Sequence, residues 1–197
     1  MATCPSSYEA RSPAQYVRVY PDRLMQKEGY PMPDMLVHLL NLPKEDTLLD
    51  TLRQSGIVIR RALSPDRHRI LPWICDIMGP SAASECEACF ARTPLSLFIA
   101  TQGSKIIGFA AYNATAPDFF GPTSVNESCR GKGVGKALLI RALRAMREEG
   151  YVYAIIGGVG PVDFYAGAVG ATLIEGSDPG IYEDFLGRLE GLGNPEA

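Results

Sequence analysis

The chain has 197 residues and a formal net charge of −3, and its composition is 46% hydrophobic and 21% charged. These values are typical of one globular domain with a sizeable core, and the acidic balance argues against nucleic acid as a partner. No apolar run approaches the roughly 18 residues of a membrane span, so no membrane partner is expected. Glu9, Arg11 and Arg18 interrupt the N-terminus, so no signal peptide is expected. The five cysteines form no disulfide framework, which favours a reducing, cytoplasmic location.

Residues 1–55 predict an N-terminal extension, with short strands and one helix, that packs on a domain. Two apolar runs bounded by prolines, at residues 16–20 and 35–40, predict strands. Residues 44–54 have helical periodicity with leucines on one side, and Gly56 is suited to end this helix. Three roles for the extension stay open: it covers a sheet edge, contacts a second subunit or lines a cleft.

Residues 56–190 predict the main domain. Ser64 is suited to cap its first helix, with Pro65 at the first helical position. A longer helix, ended by Gly150, has its apolar residues on one side and most charged residues on the other, with Ile140 as an exception. In chain order, the predicted elements are a strand at 57–62, helices at 64–78 and 81–91, strands at 95–100, 105–112 and 119–125, a glycine-rich loop with the long helix, a strand at 151–156, a helix at 161–169 and a strand at 171–175.

Cys86 and Cys89 have the spacing of half a metal site. No second pair of cysteines exists, and both histidines are distant in sequence. The surrounding residues predict a helix, in which small cysteines serve as core residues. We therefore interpret the pair as core packing and predict no metal, with metal or redox chemistry as the alternative.

Residues 125–138 contain three glycines at alternate positions: Gly131, Gly133 and Gly135. They lie between a predicted strand and a predicted helix. Glycine lets the backbone approach a ligand closely, and the first turn of a helix offers unpaired N–H groups and a positive dipole end. Three cations lie around the same loop: Arg130, Lys132 and Lys136. The stretch therefore predicts a binding site for a phosphate or pyrophosphate.

Two common phosphate motifs fail on spacing. A Walker loop requires glycine where this chain has Arg130, and Ser or Thr where it has Ala137. The dinucleotide fingerprint requires its third glycine at the position of Lys136. Neither nucleotide-binding class is therefore expected.

The pattern that fits is Arg-x-x-Gly-x-Gly, filled by Arg130, Gly133 and Gly135. It resembles the acetyl-CoA pyrophosphate loop of the GCN5-related N-acetyltransferase (GNAT) superfamily, and the element order over residues 57–176 is similar as well. The resemblance implies an α/β (α+β) fold with a mixed, mostly antiparallel central sheet flanked by helices. The alternative is a glycine-rich turn that opens an ordinary core helix.

The resemblance also implies which residues bind acetyl-CoA. Backbone N–H groups of the loop would hold the pyrophosphate, and the cations would attract its charge. The end of the preceding strand would pair with the pantetheine arm and offer an N–H to the thioester oxygen. The implied cofactor-binding residues are Ser124, Val125, Arg130, Gly131, Lys132, Gly133, Val134, Gly135 and Lys136.

Tyr165 matches the family tyrosine beside the CoA sulfur, and the resemblance makes it the candidate general acid. A phenol with its ordinary pKa near 10 holds a proton at neutral pH. The interval from Tyr165 to Gly170 is longer than is common in the family, and Ala171 replaces an aromatic residue, so an ordinary helix position is the alternative. Glu127 is the first candidate for the general base, with an exposed residue of no catalytic duty as the alternative. Weaker candidates for the base are Glu85 and Asp163. The resemblance places on the acceptor side Tyr112, Asn113, Asp118, Phe119 and Phe120, of which the last two would line an acceptor pocket or, as the alternative, belong to the core.

The sequence thus predicts an acetyl-CoA-dependent N-acetyltransferase that transfers the acetyl group directly to a primary amine. The acceptor would be a small molecule or a peptide, and a homodimer is possible. The alternative is a non-catalytic module with the same fold that binds or senses CoA. Other acyl donors also stay open, because the glycine loop recognises pyrophosphate and not the acyl group.

Overall fold

The computed structural model describes residues 32–178 and residue 181, so the strand predicted at residues 16–20 and the end of the main domain lie outside the described residues. The strands are β1 Met35–His38, β2 Ile57–Arg61, β3 Leu97–Gln102, β4 Lys105–Tyr112, β5 Phe119–Val125, β6 Tyr153–Ile156 and β7 Thr172–Leu173. The α-helices are α1 Asp46–Gln54, α2 Arg67–Met78, α3 Pro80–Glu87, α4 Val134–Glu148 and α5 Val162–Val169.

The seven strands form one sheet in the order β2-β3-β4-β5-β6-β1-β7. Neighbouring strands are antiparallel except β5 and β6, which are parallel. The parallel pair is joined through α4, as a crossover connection requires. The mixed, mostly antiparallel sheet with flanking helices that the sequence predicts is confirmed.

Strand β1 comes from the N-terminal segment and lies inside the sheet, between β6 and β7. Its register pairs Val37 with Ala154 on one side and Met35 with Leu173 on the other. Met35 and Val37 are buried in the apolar cluster that includes the residues of α4. The boundary at residue 55 stays a prediction, but the sheet is continuous across it.

The two faces of the sheet carry two apolar clusters. Helix α4 covers one face, and its buried residues include Ile140, the exception to the predicted pattern. Its apolar surface is therefore wider than one stripe, because the helix is enclosed by the sheet, α1 and α5. On the other face, α2 and α3 pack against β3 and β4 around Phe109.

Several element ends differ from the sequence prediction by a few residues; for example, the helix predicted at 81–91 ends at Glu87 and the strand predicted at 151–156 begins at Tyr153. Ser64 does not cap a helix: residues 64–66 form a 3-10 turn, and α2 begins at Arg67. Pro161 lies at the N-cap of α5 and not at its first helical position. The last strand has only two residues, Thr172 and Leu173, which pair with Leu36 and Met35 of β1.

Cys86 and Cys89 are buried in the second apolar cluster, which confirms the packing interpretation. Burial raises the pKa of both thiols, so both stay protonated at neutral pH. Across residues 32–178, no group of three or more His, Cys, Asp and Glu residues could hold a metal ion. Within that same part of the chain, no helix has the length and hydropathy needed to cross a bilayer.

Candidate functional site

The glycine loop joins β5 to α4 and ends at the helix N-terminus. After a 3-10 turn over Glu127–Cys129, the backbone adopts positive φ at Gly131 (74°) and Gly133 (86°). Gly133 is the N-cap of α4 and has no side chain to satisfy the first N–H groups of the helix. These donors, together with the positive end of the helix dipole, form a site suited to an anion.

The three predicted cations lie around this loop. The Arg130 Nε donates a hydrogen bond to the Val125 carbonyl at 3.3 Å, which ties the loop to the end of β5. Lys132 is exposed, and Lys136 is half-buried in the first turn of α4. The loop therefore combines backbone donors with positive side chains.

The three glycines have different surroundings. A Cβ built on Gly131 meets no atom within 4 Å, whereas one on Gly133 would lie 2.8 Å from Leu48 Cδ1. A Cβ on Gly135 would make ordinary contacts with Val125 Cγ2 at 3.6 Å and Phe164 Cζ at 3.7 Å. The protein itself therefore favours glycine at position 133, where φ is positive and a Cβ would displace the Leu48 methyl group, but not at 135.

Strand β5 has an open edge that leads to the loop. It pairs with β6 only at Phe119 and Phe120, although it continues to Val125. The pairing ends at Gly121-Pro122, beside a register shift on the β4 side. Because proline has no N–H to donate, it is suited to the point where two strands separate. Among the described residues, no strand covers this edge over residues 121–125, which include Ser124 and Val125.

Tyr165 lies on α5 at the inner end of this opening. Its ring contacts Phe120 with centroids 6.4 Å apart and Phe164 with centroids 5.0 Å apart. Burial raises the pKa of Tyr165 to about 12, so the phenol holds its proton more tightly than the sequence suggests. Through Phe164, which approaches Gly135, an unbroken line of contacts joins Tyr165 to the glycine loop.

The candidate bases have different environments. Glu127 has a 70% exposed side chain, and its Oε1 lies 3.9 Å from Arg130 Nη1. Glu85 is half-buried and accepts a hydrogen bond from the Thr115 hydroxyl, and burial raises its pKa. Asp163 is exposed in the first turn of α5.

The residues predicted on the acceptor side are mostly core residues. Asn113, Phe119 and Phe120 are buried, and Asp118 is half-buried with its pKa raised by burial. The Tyr112 hydroxyl donates to Glu149 and accepts from Arg61, which places it near the far end of α4. Of these aromatic residues, Phe120 is the one whose ring contacts Tyr165.

Two sets of contacts from the N-terminal segment reach the site without a sequence signal, one from Pro33 and Asp34 and one from Leu48. The Asp34 carboxylate is buried and accepts the Gly158 N–H at 2.8 Å, and the Pro33 carbonyl accepts the Val159 N–H at 2.8 Å. These bonds hold the loop that leads from β6 into α5 and so to Tyr165. Leu48, at the start of α1, touches the glycine loop. The residues that meet are more than 80 positions apart in the chain, so local sequence patterns could not predict either set of contacts.

Solved structures share this fold. The GCN5-related glucosamine N-acetyltransferase region of a fungal multi-domain GH3 β-N-acetylglucosaminidase matches with a TM-score of 0.61 and 13% identity, over 75% of this chain and 20% of that chain. A GCN5-related N-acetyltransferase from Sphaerobacter thermophilus matches with a TM-score of 0.50 and 18% identity, over 74% of this chain and 50% of that chain. This chain thus spans at most half the length of either protein.

A search of curated proteins found no match to this sequence. The family model described as "Acetyltransferase (GNAT) family" matches residues 65–166, which is more than half of the chain. The match begins at the turn before α2 and includes the whole of β5, the glycine loop, α4 and Tyr165. The chain therefore belongs to the GNAT family of acetyltransferases.

Proposed function

We propose that this protein is an acetyl-CoA-dependent N-acetyltransferase that transfers the acetyl group directly to a primary amine. The observation that carries the proposal is the unpaired edge of β5, which runs between the glycine loop and the contacts of Tyr165. A site with anion-binding N–H groups at one end and a proton donor at the other is suited to a thioester that contains a pyrophosphate.

In this proposal, the cofactor lies along the open edge. The N–H groups of residues 131–136 bind the pyrophosphate, with Arg130, Lys132 and Lys136 supplying positive charge. Ser124 and Val125 pair with the pantetheine arm as a neighbouring strand would, because none of the described strands pairs with their edge of β5. This arrangement holds the thioester next to the acceptor, which replaces a bimolecular encounter with a positioned one.

The proposed chemistry is a single displacement on the thioester. A neutral amine attacks the carbonyl carbon, so the C–N bond forms while the C–S bond breaks. The CoA sulfur leaves with the bond electrons and takes a proton from the Tyr165 hydroxyl. The attacking nitrogen loses a proton to a base, for which Glu127 acting through water stays our prediction. A solvent proton then restores Tyr165.

The proposal also includes the class of acceptor and the location of the protein in the cell. Small-molecule or peptide amines in the cytoplasm are the expected acceptors, and a homodimer remains compatible with them. The direct test mixes the purified protein with acetyl-CoA and a panel of amines, and measures free thiol release and the acetylated amine. Thiol release that depends on the amine supports transfer, whereas tight CoA binding with no such release contradicts it.

The second candidate is a CoA-binding module without turnover. The observation in its favour concerns the first candidate base: the Glu127 side chain is exposed and lies beside Arg130. A module predicts that calorimetry detects CoA binding while the amine panel yields no product. It also predicts that Tyr165→Phe leaves every measured property of the protein except its tyrosine titration unchanged.

A further inference from the structure

The glycine loop is supported from outside the β5–α4 unit. The first turn of α1 places Leu48 against Gly133, and a Cβ on that glycine would lie 2.8 Å from Leu48 Cδ1. Real Cβ atoms essentially never lie this close to another heavy atom, so a side chain at position 133 would force the Leu48 methyl group to move. Leu48 therefore occupies the space beside Gly133 that a larger residue would need.

Helix α1 is itself anchored to α4. The Glu45 carboxylate, whose side chain is 4% exposed, lies 3.0 Å from Arg141 Nη1 and 3.5 Å from Arg144 Nε. The Pro43 carbonyl accepts a hydrogen bond from Arg144 Nη2 at 2.9 Å. Because these contacts precede α1 directly, they fix the start of the helix, and Leu48 follows less than one turn later.

A loop with three glycines needs such support. Glycine loses more backbone freedom on ordering than any other residue, so a free Gly-rich loop samples many conformations that do not bind an anion. A contact that restricts the loop before the ligand arrives lowers the entropic cost of binding. Leu48 contacts the residue at the N-cap of α4, which precedes the N–H groups directed at the anion.

We propose that Leu48 is a positioning residue that holds the glycine loop in its anion-binding conformation, so that the N-terminal segment sets the affinity for the cofactor. The inference rests on the proposed CoA site, although not on turnover. It places part of the cofactor site outside residues 65–166, which the family model matches. Leu48 touches the loop and not the reacting atoms, so its effect belongs to binding and not to the chemical step.

The test is calorimetric binding of CoA to the full chain. Leu48→Ala is expected to raise the Kd about tenfold, which corresponds to ~1.4 kcal/mol, while kcat at saturating acetyl-CoA stays unchanged. The matched control is Leu52→Ala, which removes the same atoms from a buried position of the same helix. It is expected to lower the melting temperature without changing the Kd.

A double-mutant cycle separates positioning from general destabilisation. Gly133→Ala is strained by the positive φ in either background, but only with Leu48 present does its methyl also press on the leucine, so in the Leu48→Ala background it should cost less affinity. Additive losses, or an unchanged Kd in Leu48→Ala, would overturn the inference. If Leu48→Ala does not fold, Leu48→Val shortens the side chain less, and an unchanged Kd for that variant contradicts the inference. A wild-type protein that binds no CoA would instead reject the proposed function and this inference with it.

Discussion

At the scale of single residues, the glycines of the loop have different structural roles. Gly133 has positive φ and lies against Leu48, so any substitution there perturbs the protein before a ligand is present. Loss of binding after a change at Gly133 is therefore no proof of contact with pyrophosphate. Gly135 lies within α4 and has room for a methyl group, so it reports on the ligand alone.

Gly135→Ala is expected to stabilise the folded protein and to weaken cofactor binding. Alanine raises the free energy of unfolding by about 0.5–1 kcal/mol in a helix, and its methyl makes only ordinary contacts here. The same methyl projects between Val125 and Phe164, where the proposed cofactor passes, so the Kd for CoA should rise about tenfold, or ~1.4 kcal/mol. Chemical denaturation and calorimetry measure the two effects.

The control for that substitution is Gly167→Ala. This glycine is also helical, in α5, and a Cβ there meets no atom within 4 Å. It should give a similar gain in stability with the CoA affinity of the wild type. Equal affinity in both variants would mean that the cofactor does not approach Gly135.

Tyr165→Phe tests the proposed general acid. Loss of the hydroxyl should lower kcat by roughly one to three orders of magnitude, which is the scale of general acid catalysis. The Kd for CoA and the melting temperature should change little, since the ring and its contacts with Phe120 and Phe164 remain. A rate equal to that of the wild type would remove Tyr165 from the mechanism.

At the scale of elements, the decisive pair is β5 and β6. Their parallel pairing lasts two residues and then ends, which leaves the second half of β5 available. On the other side of β6, β1 pairs along its whole length. The sheet is therefore continuous through β6 as far as Phe120, and among the described residues no strand pairs with this edge of β5 beyond that point.

Val37→Ala tests whether β1 is an integral part of the fold. Val37 is 0% exposed at the centre of β1, so removal of its two methyl groups should lower the free energy of unfolding by about 2 kcal/mol. The matched change Val58→Ala, on the edge strand β2 where Val58 is 45% exposed, should lower it by less than about 0.5 kcal/mol. Equal small effects in denaturant titrations would show that β1 is dispensable.

At the scale of the whole molecule, two of the nine tyrosines make the stability of the fold depend on pH in the alkaline range. Burial and the hydrogen bond to Glu149 together raise the pKa of Tyr112 to about 12, against the opposing effect of Arg61, and burial alone raises the pKa of Tyr165 to about 12. Both phenols are thus neutral in the folded protein at a pH where they ionise in the unfolded chain.

Stability should consequently fall as pH rises above the ordinary tyrosine pKa of about 10. The unfolded state releases these two protons first, so stability contributed by the raised pKa values is complete below pH 10 and is lost between about pH 10 and pH 12. Denaturation at several pH values measures the loss. Ultraviolet titration of Tyr165→Phe should show one late-ionising tyrosine fewer than the wild type; an identical late phase would contradict the assignment.

Much of the architecture follows from local patterns. Alternating or continuous apolar runs predicted the strands of the main domain, and the periodicity of residues 134–148 predicted α4. The errors lie at ends and exceptions: Ser64 belongs to a 3-10 turn, and Ile140 is buried because α4 is enclosed on several sides. Local propensity carries no information about how many neighbours finally cover a helix.

The sequence by itself determined the family, through a glycine loop whose spacing is readable because its residues are contiguous. It also predicted an anion-binding site at the N-terminus of α4, since helix ends and glycine backbones act locally. Only the tertiary structure decided that β1 lies between β6 and β7, that β5 separates from β6 after Phe120, and that Leu48 touches Gly133. Each of these depends on the packing of segments far apart in the chain, and strand order and steric contact between such segments are properties of the folded core and not of any local pattern.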